Sequence, residues 1–137
     1  REFTLEKSAP VEVEFPARQT VVMEFERIAA GTPVELRADL GIGRGDLRVD
    51  GDAVEVTVHS LGHVAAAGGY AVLEDARGRE LARVPVPALA APGDLQPKTA
   101  QVRLPLGGRA ADGLQVRVAL EGDAEEVTRL NNVRGVR

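Results

Sequence analysis

Hydrophobic and polar residues alternate with a period of two along most of the chain. Val11, Val13 and Phe15 alternate with glutamates, and after a short break the alternation resumes as far as Phe25. A period of two puts successive side chains on opposite faces of a strand, so each run predicts a half-buried β-strand. The two runs together predict a hairpin, and a third strand is predicted at Val34–Leu36.

The same alternation continues after the glycine-rich segment 41–45. Turn signals rich in Gly, Asp and Pro separate further strands, which are predicted at 47–49, 54–58, 70–75, 81–86, 102–104, 114–120 and 133–136. No stretch of ten or more residues has a period of 3.6, and the only candidate for a helical turn is 123–130. Seven or more short strands predict an all-β sandwich, with a closed barrel as the alternative.

Two details of these strands bear on the fold. Pro85 and Pro87 place the strand at 81–86 at a sheet edge or at its own end, because proline cannot donate a ladder hydrogen bond. The strand at 70–75 is apolar on both faces, so its inward face stays unassigned.

Composition and charge narrow the class of protein. The 137 residues fit one domain, or one domain and part of a neighbour. There is no cysteine, so a disulfide framework or a thiolate metal site is excluded. The net charge is −4 with both signs interspersed, which argues against nucleic-acid binding. No apolar run approaches the roughly 20 residues that span a bilayer. No signal peptide is visible, and the chain begins without Met, so we expect a piece of a longer protein.

From about residue 39 to the end, the chain resembles the CARDB domain, the cell-adhesion-related domain found in bacteria. The resemblance rests on four patterns in order: Asp39-Leu40-Gly41-Ile42 at the start, the valine-alternating strand 54–62, the central hairpin 70–83, and Leu130-Asn131-Asn132-Val133 near the end. His59-Ser60 stands where Asn is more usual, and Arg129 stands where the family often has an acidic residue.

The resemblance implies a seven-stranded immunoglobulin-like β-sandwich over residues 39–137. It also implies an accessory role beside adhesins, proteases or glycan-active enzymes of the bacterial surface or exterior. Residues 1–38 lie outside it and resemble the closing strands of a preceding β domain, so they are predicted to be an additional N-terminal hairpin or meander. A boundary between modules is predicted between about residues 38 and 45.

An acidic group follows the strand at 114–120. It comprises Asp123, Glu125 and Glu126, with Glu121 beside them. Carboxylate oxygens grouped in a loop are the ligands that Ca²⁺ prefers, but the spacing is not that of an EF-hand. The sequence favours a solvated loop, with a calcium site as the alternative.

Asn131 and Asn132 are predicted to have a structural role. Asn side chains satisfy backbone groups that lack ladder partners and tolerate left-handed conformations. We therefore expect the pair to fix the start of the last strand.

Nothing in the sequence assembles a catalytic site. His59 lies on the polar face of a predicted strand and His63 lies in a loop, so both are interpreted as surface histidines. Ser8 and Ser60 lie outside any nucleophile elbow, and no helix follows the glycines at 41–45 to hold a phosphate. Carboxylate pairs such as Glu12 with Glu14 and Glu24 with Glu26 lie on predicted solvent faces.

These observations predict a non-catalytic accessory or spacer module of a larger secreted or cell-surface bacterial protein. Neighbouring domains of the same polypeptide are its expected partners, and no cofactor is expected. The alternative is a binding module for a protein or carbohydrate. Sugar-binding platforms usually expose aromatic rings, and only Phe3, Phe15, Phe25 and Tyr70 occur, so protein binding is the stronger form of that alternative.

Overall fold

The structure, a computed structural model, describes residues 31–94 and 96–136, with only the backbone at Asp123. The hairpin predicted before Gly31 lies outside the described residues. From Gly31 onward the described chain belongs to one compact unit. The described residues include no helix that could span a bilayer.

The described residues form eight strands in two antiparallel sheets, which is an all-β sandwich rather than a closed barrel. The first sheet contains β1 (Leu40–Gly41), β2 (Leu47–Asp50), β3 (Ala53–Ser60) and β6 (Thr99–Pro105), and the second contains β4 (Gly69–Glu74), β5 (Glu80–Val86), β7 (Gln115–Leu120) and β8 (Val133–Gly135). In the first sheet β3 is central, with β6 along one edge and β1 and β2 in succession along the other. The second sheet has the order β5-β4-β7-β8.

The core lies between the sheets and follows the predicted alternation. Strand β3 contributes Val54, Val56 and Val58, which are buried, whereas the residues between them are partly exposed. Strand β7 contributes Val116 and Val118 from the other sheet. Burial of a valine or leucine side chain contributes roughly 1.5–3 kcal/mol, so the paired valine rows account for much of the sandwich's stability.

The structure assigns the inward face of β4. Ala71 and Leu73 point into the core, and Tyr70 and Val72 lie on the outer face. Val72 is fully buried nevertheless, because its cross-strand neighbours are Arg83 on β5 and Arg117 on β7. The aliphatic stems of long arginines cover apolar surface in this way, which explains why both faces of this strand are apolar. Strand β5 is an edge strand, as its prolines predicted.

The strand predicted at Val34–Leu36 is wrong: this segment is a 3-10 turn. Leu36 and Arg37 donate their backbone N–H groups to the carbonyl oxygens of Pro33 and Val34, at 2.9 and 3.1 Å. Proline presets the backbone angle that such a turn needs. The apolar side chains of Val34 and Leu36 are 46% and 58% exposed, so their alternation does not mark a buried face.

The helical turn predicted at 123–130 lies earlier, as a 3-10 turn at Glu121–Asp123. Residues 124–132 form an irregular loop that leads to β8. Gly122 has a positive φ of 68° inside the turn, and a helix cannot propagate through that conformation.

The chain enters and leaves the sandwich at opposite ends of β7. At the entering end, the backbone N–H of Thr32 donates to Glu125 Oε2 at 3.3 Å, five residues after β7 ends. At the leaving end, the N–H of Val136 donates to the carbonyl of Leu114 at 2.8 Å, immediately before β7 begins. The six residues of β7 extend about 17 Å. That length separates the entry point near Glu125 from the exit point near Leu114.

Candidate functional site

A group of three buried polar side chains and one partly buried one lies where the chain enters the sandwich. Asp39, Glu126, Asn131 and Asn132 form this group, which we name the closing cluster. Asp39 immediately precedes β1, and the other three belong to the loop between β7 and β8. Asp39, Glu126 and Asn132 are only 3%, 6% and 5% exposed. The closing cluster therefore joins the first strand of the sandwich to the last loop.

Asn132 forms the inner side of the closing cluster. Its side-chain amide donates to the backbone carbonyl of Val118 at 3.0 Å and to Glu126 Oε1 at 2.9 Å. The backbone carbonyl oxygen of Asn132 accepts the N–H of Val118 at 2.9 Å. Asn132 thus forms hydrogen bonds with both backbone groups of Val118 on β7, just before β8 begins. This is the place where the sequence predicts its structural role.

Glu126 and Asn131 bind the first strand. Glu126 Oε2 accepts the backbone N–H of Leu40 at 3.1 Å, and Asn131 Nδ2 donates to Asp39 Oδ2 at 3.0 Å. The carbonyl oxygen of Asn131 accepts the N–H of Ile42 at 2.9 Å. Three hydrogen bonds, at residues 39, 40 and 42, therefore fasten this segment to the loop between β7 and β8.

Gly62 lets the chain after β3 pack against the same place. A Cβ at residue 62 would lie 2.6 Å from the carbonyl oxygen of Arg37 and from the backbone nitrogen of Asp39. Only glycine allows this approach, since a Cβ at that distance would force the backbone apart. The N–H of Leu61 donates to the carbonyl of Asp39 at 2.8 Å across this contact.

Burial dominates the electrostatics of the two acids. Removal from water raises the pKa of Asp39 above its ordinary value, and the hydrogen bond from Asn131, together with the nearby backbone N–H of Thr128, offsets part of this rise. Burial likewise raises the pKa of Glu126, against bonds from Leu40 and Asn132, and the neighbouring charge of Asp39 adds to the rise. Three oxygens here have no hydrogen-bond partner: the Oδ1 atoms of Asp39, Asn131 and Asn132.

Glu125 and Glu126, two of the acidic residues considered as calcium ligands, point in different directions and have different partners. Glu125 faces outward, where its carboxylate pairs with Arg37 at 3.2 Å and accepts the N–H of Thr32. Glu126 points inward to Leu40 and Asn132. The side chain of Asp123 lies outside the described residues. Within the described part of the chain, no group of three acidic or histidine side chains could hold a metal ion.

The two histidines are not members of the closing cluster. His59 Nε2 is 3.1 Å from Asp46 Oδ2, and the same carboxylate accepts the N–H of Gly43. Asp46 therefore shapes the turn between β1 and β2 and orients His59 beside it. His63 is exposed in the loop after β3.

A second polar group lies on the outer face of the second sheet. Arg117 donates to Glu74 at 2.7 Å, and Gln115 donates to the same carboxylate at 3.1 Å. The guanidinium of Arg83 lies 4.3 Å from the centre of the Tyr70 ring, and that of Arg117 lies 5.8 Å from it. Arginine thus covers the only aromatic ring among the described residues, which reduces the area that a sugar could stack on.

The sequence identified Asn131 and Asn132 but not their acidic partners. Asp39 is separated from Asn131 by 92 residues, and Leu40 is separated from Glu126 by 86. Glu125 and Glu126 are adjacent acidic residues in a loop whose sequence predicts exposure to solvent. No feature of the sequence pattern shows that Glu126 points inward and Glu125 outward.

No protein-family model, curated protein or solved structure matches the chain.

Proposed function

We propose that the chain is an accessory or spacer module, of the CARDB type, in a larger secreted bacterial protein. One observation carries this proposal: the chain enters and leaves the sandwich at opposite ends of β7. A domain with this arrangement can be placed in series in a polypeptide, where it holds its neighbours apart by its own length.

The strand order supports an immunoglobulin-like form of the sandwich. In immunoglobulin-like domains, strands A, B and E share one sheet, and strands C, F and G share the other, with C′ added beside C in some of them. Here β1 with β2, then β3 and β6, correspond to the first set, and β5, β4, β7 and β8 correspond to the second. The resemblance of residues 39–137 to CARDB leads to the same proposal.

The use of the acidic side chains supports a non-catalytic role. Catalytic carboxylates act in a cleft that a substrate can reach. Asp39 and Glu126 instead accept hydrogen bonds from residues 131, 40 and 132 in the interior. These carboxyl groups therefore stabilise the fold through hydrogen bonds within the domain.

Protein binding is the second candidate function. Leu130 is 89% exposed, and Val127 and Val133 nearby are each 37% exposed, beside the edge strand β8. Exposed apolar side chains next to an open sheet edge are features that protein partners use. For a carbohydrate, the covered ring of Tyr70 is a poorer platform.

A binding screen separates these functions. We expect the full chain to give no hits on a glycan array and to sediment as a monomer at micromolar concentration. Strong glycan hits would contradict the spacer role. Concentration-dependent association that Leu130→Ser abolishes, but Leu36→Ser does not, would establish the second candidate instead. Leu36 is a suitable control because it is also exposed but lies at the entering end.

A further inference from the structure

The closing cluster contains two buried carboxyl groups and no cation. Asp39 and Glu126 are neighbours in the closing cluster, since Glu126 Oε2 accepts the N–H of Leu40, the residue directly after Asp39, and the adjacent residues Asn131 and Asn132 each donate to one of the two carboxyl groups. Among the described residues, neither carboxylate forms an ion pair with a lysine, arginine or histidine. Two neighbouring carboxylates that are both charged and both removed from water are costly, so one of them needs a proton.

Three arginines lie around the pair, and two of them form ion pairs with other carboxylates. From the segment before β1, Arg37 reaches the backbone carbonyl of Glu126 at 3.4 Å, but its ion pair is with Glu125. From β7, Arg117 borders the side of the cluster near Glu126, and its ion pair is with Glu74. From the loop between β7 and β8, Arg129 borders the same side.

The hydrogen bonds leave a place for the proton. Both oxygens of Glu126 already accept N–H groups, from Leu40 and Asn132, and Asp39 Oδ2 accepts one from Asn131. Asp39 Oδ1 has no donor. A proton on the pair supplies the donor that this arrangement lacks and removes one of the two charges.

We propose that a proton shared by Asp39 and Glu126 is a pH-sensitive latch, which fastens the first strand of the sandwich to the loop before the last strand. When the proton leaves, two buried like charges face each other across this junction. Strand β1 is the element that loosens first, because it is two residues long and pairs with β3 only at residues 59 and 60.

The direction of the pH effect follows from burial. The pKa values of both acids are raised above those of the unfolded chain. The folded state therefore binds the proton more tightly than the unfolded state, and the stability from this pair is complete below the ordinary carboxyl range near pH 4. That stability is lost as the pH rises through the raised values, which belong to the pair rather than to either residue.

Asp39→Asn tests the latch because it replaces the shared proton with a permanent N–H donor of the same shape. Between about pH 4.5 and about pH 8.5, we expect the melting temperature of the full-length wild-type chain to fall relative to that of Asp39→Asn by roughly 3–6 °C. Both chains contain the same histidines, so the difference isolates the carboxyl pair. Glu125→Gln is the matched control, and we expect it to keep the wild-type pH dependence.

A titration of the wild-type chain gives an answer even if the variant fails to fold. The side-chain carboxyl ¹³C resonances of Asp39 and Glu126 should titrate above the ordinary range near 4, and that of Glu125 should not. Ordinary or lowered midpoints for both acids would overturn the proposal. So would a melting temperature that rises with pH relative to that of Asp39→Asn.

Discussion

Asn132 holds two buried acceptors of different elements at once. Its amide bridges the carbonyl of Val118 on β7 and the carboxyl of Glu126, and all three residues are buried. An alanine at this position leaves both acceptors without that donor, and a buried polar group that loses its partner costs about 1–3 kcal/mol.

We therefore expect Asn132→Ala to lower the free energy of unfolding by about 2–4 kcal/mol, measured by chemical denaturation. Leu130→Ala is the matched control, because Leu130 lies in the same loop but is 89% exposed. That control should change the stability by less than about 0.5 kcal/mol. Equal stability of Asn132→Ala and the wild type would show that the amide does not hold the loop.

At the scale of the elements, the outer face of β4 and β7 depends on Arg117. Its guanidinium pairs with Glu74, whose side chain is only 9% exposed, and its stem lies beside the buried Val72. Removal of the arginine leaves a nearly buried carboxylate without its counter-charge and uncovers apolar surface.

Arg117→Ala should destabilise the protein by about 2–3 kcal/mol in thermal or chemical unfolding. Arg103→Ala is the comparison, since Arg103 bonds to Asp50 and Glu55 but is 56% exposed. An exposed pair of this kind contributes about 0–1 kcal/mol. If both substitutions had the same small effect, the outer-face network would be ordinary surface charge.

The strands could be predicted because their signal is local. Each alternating run, such as Val54 to Val58, carries its own period and meets a matching row from the other sheet. Val34–Leu36 has the same local pattern but forms a 3-10 turn, because hydrogen bonds within the turn and the preceding proline decide its conformation. Alternation over three residues is too short to tell these outcomes apart.

At the scale of the molecule, the closing cluster depends on contacts that no local pattern contains. Sequence reasoning singled out Asn131 and Asn132, but their partners are reached only when β1 and β7 are already in place. Glu126 points inward to accept the N–H groups of Leu40 and Asn132, and Leu40 is 86 residues away in the sequence. The prediction that these residues hold the fold could be made from sequence, and the carboxyl pair could not.

The positions of Thr32 and Val136 at opposite ends of β7 make the proposed spacer role measurable. The chain contains no cysteine, so Glu35→Cys with Asp112→Cys gives a pair of unique sites for spin labels. Both residues are exposed; Glu35 lies in the turn at the entering end, and Asp112 lies in the turn before β7.

Pulsed electron–electron double resonance on this doubly labelled chain tests the proposed spacer role most directly. A rigid module whose ends lie a strand's length apart predicts a single narrow distance distribution centred at about 20 Å or more. A broad distribution, or a distance too short for β7 to separate the labels, would contradict a spacer that holds its neighbours at a fixed separation.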